Sequence, residues 1–336
     1  MQFASSLNVQ GSRKNDGRHQ TKAVASPHLP FQISAMDRLR FSLEQFQEKC
    51  IAVFRPELRK NKEPERFRVS EKIGNALGLA ALMATSLPAA ASSSTWADSE
   101  GGRVRLVTTG TPDASGQLIG ALHIELKPGW KTYWRDPGAS GVPPQIDVAK
   151  ATNVAKAELS YPAPGRHDDG YGGWAGYDRT VALPVKFTLA KPQENAVIDA
   201  GVFLGICQTI CIPLQAQLRV DPAQDAGNPE DAELVKAALA GLPRKPSDGF
   251  GAKTLSGEKD KLLVEATVPG EAKSVDLFIA GEQGYLFGAP TRAEDGGRLV
   301  FAFPILARPG KAAQGDGLPY TLTTPSGAVE GLLPYP

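Results

Sequence analysis

The stretch Leu118-Ile-Gly-Ala-Leu-His-Ile-Glu-Leu126 decides the fold class. Leu118, Gly120, Leu122, Ile124 and Leu126 alternate with Ile119, Ala121, His123 and Glu125. A period of two sends successive side chains to opposite faces, which marks a half-buried strand. On that pattern His123 is expected to face solvent. Further along, Val181, Leu183, Val185, Phe187 and Leu189 repeat the alternation, with Pro184 inside it. Proline cannot donate to a ladder, so Pro184 predicts an edge strand. Turn clusters punctuate the runs at Pro112-Asp-Ala-Ser-Gly116, Pro128-Gly129, Asp136-Pro-Gly138 and Pro162 to Gly165. Short strands with frequent turns predict an all-β sandwich.

One helix interrupts this pattern. Asn228 can cap it, Pro229 suits the first helical position, and Glu230, Asp231 and Glu233 place negative charge in the first turn. Leu234, Val235, Ala238 and Leu239 form its apolar stripe, and Gly241 and Pro243 stop it. After a polar linker the chain reads as β again, with strands expected at 261–268, 274–279 and 298–305. The expected organisation is a β-sandwich at 98–222, a helix and linker at 223–249, and a second, smaller β domain at 250–336.

The 336 residues carry a net charge of +1, which gives no reason to expect a nucleic-acid partner. The balance hides a division. Residues 1–72 hold 14 Lys/Arg against 8 Asp/Glu, and the remainder holds 23 against 28. The basic part ends where an apolar run begins, Ala76-Leu-Gly-Leu-Ala-Ala-Leu-Met-Ala-Thr-Ser-Leu87, followed by the small residues Ala89-Ala90-Ala91. That order predicts a cleaved export signal with a cut after Ala91 or Ala97. A dozen apolar residues fall short of the roughly 20 that span a bilayer, so no stable membrane span is expected in the mature chain. A basic region of some 70 residues is too long for one signal, and Val69, just before Ser-Glu-Lys-Ile-Gly, is read as an alternative start. Residues 1–91 are therefore read as an N-terminal extension plus signal peptide.

Removing them leaves two cysteines, in Phe203-Leu-Gly-Ile-Cys207-Gln-Thr-Ile-Cys211-Ile-Pro213. Residues four apart on a straight strand lie about 13 Å apart, too far for a disulfide. A three-residue hairpin loop, Gln208-Thr209-Ile210, would instead set the cysteines opposite each other, with Pro213 at an edge or bulge. Closing so small a loop stabilises by only roughly 2 kcal/mol, which leans towards redox work over a structural role. Three readings stay open at this point: a redox pair, a structural disulfide and a metal site. The last lacks ligands, because the mature chain keeps only His123 and His167 and no methionine. His167 beside Asp168 and Asp169 has no nucleophile motif near it and reads as a surface-loop residue.

Five motifs then carry a resemblance. Trp130-Lys-Thr-Tyr-Trp-Arg-Asp-Pro-Gly138, Gly141-Val-Pro-Pro144, Tyr161-Pro-Ala-Pro164, Val181-Ala-Leu-Pro-Val185 and Cys207-x-x-x-Cys-Ile-Pro213 resemble, in that order, the N-terminal periplasmic domain of the thiol:disulfide interchange protein DsbD. The closest likeness is to DsbD-like and Scs-type exported proteins with three residues between the cysteines. The resemblance covers about residues 100–240. It implies an immunoglobulin-like sandwich, a periplasmic location and a Cys207/Cys211 pair that exchanges electrons with partner thiols, without a bound cofactor or metal. It implies periplasmic thiol–disulfide partners, a separate membrane reductase among them, in the chemistry that includes cytochrome c biogenesis. The family's membrane and thioredoxin-like domains have no counterpart in this sequence, so a relay would use separate proteins. The family also covers its cysteines with an acidic, aromatic loop. Asp168-Asp-Gly-Tyr171-Gly-Gly-Trp174-Ala-Gly-Tyr177 stands at a comparable place. Asp168, Asp169, Tyr171 and Trp174 are the candidate cap, with Tyr133 lining the site. Trp134 reads as core, and Cys211 as the cysteine that meets a partner first.

Overall fold

A computed structural model describes residues 92–138, 141–168, 173–270 and 274–336. The expected extension, the signal segment and Val69 lie outside the described residues, as do Asp169 and Tyr171.

The first part of the chain holds β1 (Ala97–Ser99), β2 (Gly102–Thr108), β3 (Gln117–Leu126), β4 (Thr132–Tyr133), β5 (Gln145–Asp147), β6 (Val154–Leu159), β7 (Gly165–Asp168), β8 (Gly173–Tyr177), β9 (Val181–Leu189), β10 (Ile198–Cys207) and β11 (Cys211–Val220). Helix α1 (Pro229–Ala240) follows. The second part holds β12 (Gly251–Gly257), β13 (Lys261–Thr267), β14 (Asp276–Ile279), β15 (Leu286–Phe287), β16 (Thr291–Asp295), β17 (Arg298–Ala307), β18 (Leu318–Thr324) and β19 (Gly327–Leu333). The fold is an immunoglobulin-like all-β arrangement, as expected, with one short helix among the described residues. Every named pairing is antiparallel.

The first sandwich packs the sheet β1-β2-β3-β9-β6 against β11-β10-β5. Alternation supplies the filling. Leu118, Leu122, Ile124, Leu183, Val185 and Phe187 from one sheet meet Ile198, Val202, Leu204, Ile206 and Leu218 from the other. Side chains so fully enclosed each contribute about 1.5–3 kcal/mol from the apolar area removed from water. The second sandwich sets β12-β13-β17-β15 against β14-β18-β19 around Leu262, Val264, Phe301, Tyr320 and Leu322. Phe278 and Ala280 belong to the first sandwich's core cluster although they follow from the second part of the chain.

The outer face of the larger first sheet is covered. Val107 and Ala121 point away from the sandwich core and pack beneath Val235 and Ala238 of α1. Asn228 caps the helix, its Oδ1 accepting from the Glu230 and Asp231 amides at 3.0 and 3.1 Å. Leu239, expected in the apolar stripe, is instead largely exposed. Asp231 turns inward and accepts from Ser92 Oγ at 2.6 Å. The Ser92 carbonyl in turn accepts from the Thr108 amide and hydroxyl at 2.8 and 3.0 Å.

Two expectations are corrected here. His123 does lie on the face away from the core, yet it is half-buried because the Trp96 ring packs over it at 5.4 Å. That burial, with Arg105 nearby, lowers its affinity for a proton. Pro184 lies on β9, an inner strand between β3 and β6. It is tolerated because the last β6–β9 pair is Leu159–Val185, so the side on which an N–H is missing opens where β6 gives out. Its carbonyl still accepts from Ser160 at 2.8 Å. Pro213, by contrast, sits on the edge strand β11 as expected.

Removing the helix cap should cost stability without changing the fold. Asn228→Ala is expected to lower the unfolding free energy by about 1 kcal/mol, read from urea denaturation with an unchanged m value.

Candidate functional site

The hairpin β10–β11 makes the site possible. Its register pairs Ile198 with Val220 and runs unbroken to Cys207 opposite Cys211, leaving the three-residue loop 208–210. The Gln208 amide donates to the Ile210 carbonyl at 2.9 Å and closes that loop. Paired positions of a hairpin point to the same face, so the two sulfurs meet, and the cysteines are joined in a disulfide with their Cα atoms 4.0 Å apart.

Parity decides which way the disulfide points. Leu204 and Ile206 face the sandwich core, so Gly205 and Cys207 face outward. On that outer side lies a third small sheet, β4-β8-β7. It is attached to the hairpin by a reciprocal pair of backbone bonds, Lys131 N–H to Cys207 O at 2.8 Å and Cys207 N–H to Lys131 O at 2.9 Å. The Thr132 hydroxyl adds a bond to the Gly205 carbonyl at 2.9 Å. Glycine is required in this join. A Cβ on Gly176 would stand 2.3 Å from the Thr132 carbonyl oxygen, and one on Gly205 would press the Tyr133 ring at 3.3 Å.

The small sheet lays aromatic rings over the sulfurs. Tyr133 is buried, with its hydroxyl donating to Cys207 Sγ at 3.2 Å and lying 3.3 Å from Cys211 Sγ. Trp174 meets Tyr133 edge-on at 5.9 Å, and these two rings with Cys207 form their own buried cluster, against which Cys211 packs. The Lys131 ammonium lies 4.5 Å from the centre of the Trp174 ring. The two cysteines differ in access: Cys207 is 1% exposed, whereas Cys211 is half-buried and follows Ile210, which is 54% exposed.

Trp174 and Tyr177, expected in a glycine-rich loop, are instead strand residues of β8. His167 is corrected in the same way. It lies on β7 directly opposite Trp174, and its ring stacks on the indole at 4.1 Å and 14°. Asp168 ends β7, one position before residues 169–172, which lie outside the described residues and include Asp169 and Tyr171. Trp134 is core, 1% exposed. Sequence reasoning missed Lys131 and Arg135. Arg135 stacks near both Trp134 and Tyr161, at 5.3 and 5.1 Å. Among the described residues no group of three or more His, Cys, Asp or Glu side chains is placed to hold a metal ion.

Behind the site stand two phenols. The Tyr161 hydroxyl donates to the Pro144 carbonyl at 3.1 Å and that of Tyr177 to Pro162 at 2.8 Å. Burial pushes Tyr161 up to about 12, with Arg135 acting in the opposite sense. Burial likewise raises Tyr177 well above the ordinary phenol value, with Tyr161 adding to the rise.

Residues 107–222 match the family described as "Thiol:disulfide interchange protein DsbD, N-terminal". The fold is similar to the crystal structure of the N-terminal periplasmic domain of ScsB from Proteus mirabilis. That match has a TM-score of 0.59 at 22% identity and covers 71% of this chain and 96% of the other. No curated protein matches the chain in sequence. No helix among the described residues is long and apolar enough to cross a membrane.

The two phenols predict an alkaline limit. An unfolded tyrosine ionises near pH 10, and both folded values lie higher, so the unfolded chain releases its protons first. Their contribution is therefore whole below about pH 10 and is lost as pH rises above it, that of Tyr161 through about 12. Urea midpoints should stay level to about pH 10 and then fall, each group adding a slope of up to about 1.4 kcal/mol per pH unit. Tyr161→Phe, which keeps the ring, should make that fall shallower.

Proposed function

We propose that this chain is an exported thiol–disulfide exchange protein that passes electron pairs between a redox partner and client proteins through Cys207 and Cys211. The observation that carries this reading is the asymmetry of the pair: one sulfur sealed beneath aromatic rings and the other reachable, at the tip of a hairpin. The family match over the same residues supports it. The periplasmic location named for the similar ScsB domain supports export with a cleaved signal, and of the two expected cuts the one after Ala91 leaves Ser92 to bond Asp231 and Trp96 to cover His123.

The chemistry balances without a cofactor. A thiolate of the reduced partner attacks Sγ of Cys211, and the Cys207–Cys211 bond breaks with its electron pair leaving on Cys207. The partner's second thiolate then attacks the partner sulfur of the mixed disulfide. The partner leaves as a disulfide, and Cys211 is released as a thiolate. Two electrons have moved, and solvent supplies the two protons. Delivery to an oxidised client runs the same steps in reverse, with Cys211 attacking and Cys207 resolving. Tyr133 and Trp174, with Tyr171 and the acidic Asp168 and Asp169, serve as the cap that keeps stray thiols from the sulfurs. A separate membrane reductase is the class of partner that would supply electrons.

The decisive experiment uses single Cys→Ser variants expressed in the native host and run on non-reducing gels. Cys207→Ser, which lacks the resolving thiol, should accumulate a mixed disulfide, with the partner identified by mass spectrometry, and Cys211→Ser should accumulate far less. The pair should also have a reduction potential above about −300 mV, and the reduced domain should stay folded. If neither variant traps a protein, and reduction unfolds the domain, the disulfide is structural and the chain is a binding or assembly module. The cap is tested apart from this: Trp174→Ala should speed alkylation of the reduced pair by iodoacetamide several-fold in a folded variant, and an unchanged rate removes Trp174 from that role.

A further inference from the structure

The three residues after Tyr133 are each held by the second sandwich. The Trp134 ring meets Phe278 edge-on at 5.9 Å. Arg135 pairs with Glu330 of β19 at 2.5 Å. Asp136 Oδ2 accepts from the Gly281 amide at 2.6 Å. A second set of contacts reaches β7. Arg166 is forked onto Asp276 at 2.9 and 3.0 Å, donates to the Leu277 carbonyl at 2.8 Å, and lies over the Phe278 ring at 4.5 Å. Arg166 immediately precedes His167, whose ring stacks on Trp174.

The contacts fall where the site needs support. β4 is two residues long, and so short a strand has too few ladder bonds to hold itself against fraying. Its far end is pinned by Glu330 and Gly281, and β7 is pinned by Asp276, through charge-assisted and bidentate bonds that fix direction as well as distance.

We propose that residues 250–336 are a buttress for the disulfide. Glu330 and Asp276 act as positioning residues. They hold β4 and β7 so that Tyr133 stays against both sulfurs, and so set how fast an incoming thiol reaches Cys211. The proposal gives the second sandwich a role within the thiol–disulfide reading, and it rests on that reading for its biological meaning.

The test is the second-order rate at which dithiothreitol reduces the oxidised full chain. One dithiothreitol thiolate attacks Cys211 Sγ and displaces the Cys207 thiolate. The other closes the reagent's ring and releases Cys211. Glu330→Gln should raise this rate about three- to ten-fold when Tyr133 is present and leave it unchanged in a Tyr133→Ala background, because coupled residues are non-additive. Near-UV circular dichroism establishes that each variant is folded. Asp276→Asn, at an independent contact, should act in the same direction and takes the place of Glu330→Gln if that variant does not fold. An unchanged rate in the folded variants overturns the proposal, and so does an equal acceleration with and without the Tyr133 ring. Dithiothreitol reports access to sulfur whether or not a protein partner exists, so this result stands apart from the trapping experiment that judges the redox reading.

Discussion

Two hydrogen bonds between the Lys131 and Cys207 backbones hold the site together. They are the point at which a small sheet, too short to stand alone, joins the end of a ten-residue hairpin strand. From that join the positions follow by periodicity. Thr132 reaches back to Gly205, Tyr133 comes down on the sulfurs, and Trp134 turns the other way into the core. Shifting the register by one residue would exchange Tyr133 and Trp134, burying a phenol in the sandwich and leaving the disulfide uncovered. The glycines at 176 and 205 allow the approach, since the first leaves no room for a side chain and a Cβ at the second would press on the Tyr133 ring.

The disulfide itself depends on few constraints. The hairpin fixes where the cysteines are, and the outward parity of Cys207 fixes which face they occupy. A bond closing a five-residue loop removes little entropy from the unfolded chain, so the sandwich must carry its own stability. It does so through a core of aliphatic and aromatic side chains that includes no sulfur atom, and the second sandwich has a core of the same kind. A core built this way does not use the disulfide for its packing, which is the physical condition the exchange reading requires.

Much of this was legible in the residues. The alternation at 118–126 and 181–189 named two strands of the first sheet, and the three-residue gap between the cysteines named the hairpin. The cap at Asn228 was readable because capping is local. What was not legible is long-range. Pro184 misled because its tolerance depends on where a neighbouring strand stops, which no periodicity encodes. His167 and Trp174 looked like loop residues because the glycines around them are as common in turns as in a strand that must pass close to another backbone. Arg135 and Arg166 gave no signal, since their partners lie 195 and 110 residues away in sequence.

The bond between Ser92 and Asp231 spans 139 residues. A chain is made from its N-terminus, so the edge of the first sheet cannot be fastened until α1 has emerged. Long-range contacts of this kind are paid for late and slow the closing of a β topology. The cysteine hairpin is the opposite case, complete within its own sequence and formed early, because its loop is short. The two sulfurs can therefore find each other in a nascent chain whose sandwich is still open, before Tyr133 and Trp174 have closed over them. Locality of contact, not order of synthesis, sets this difference, since Tyr133 and Trp174 precede both cysteines in the chain, and completion of the fold is what withdraws the bond from general traffic.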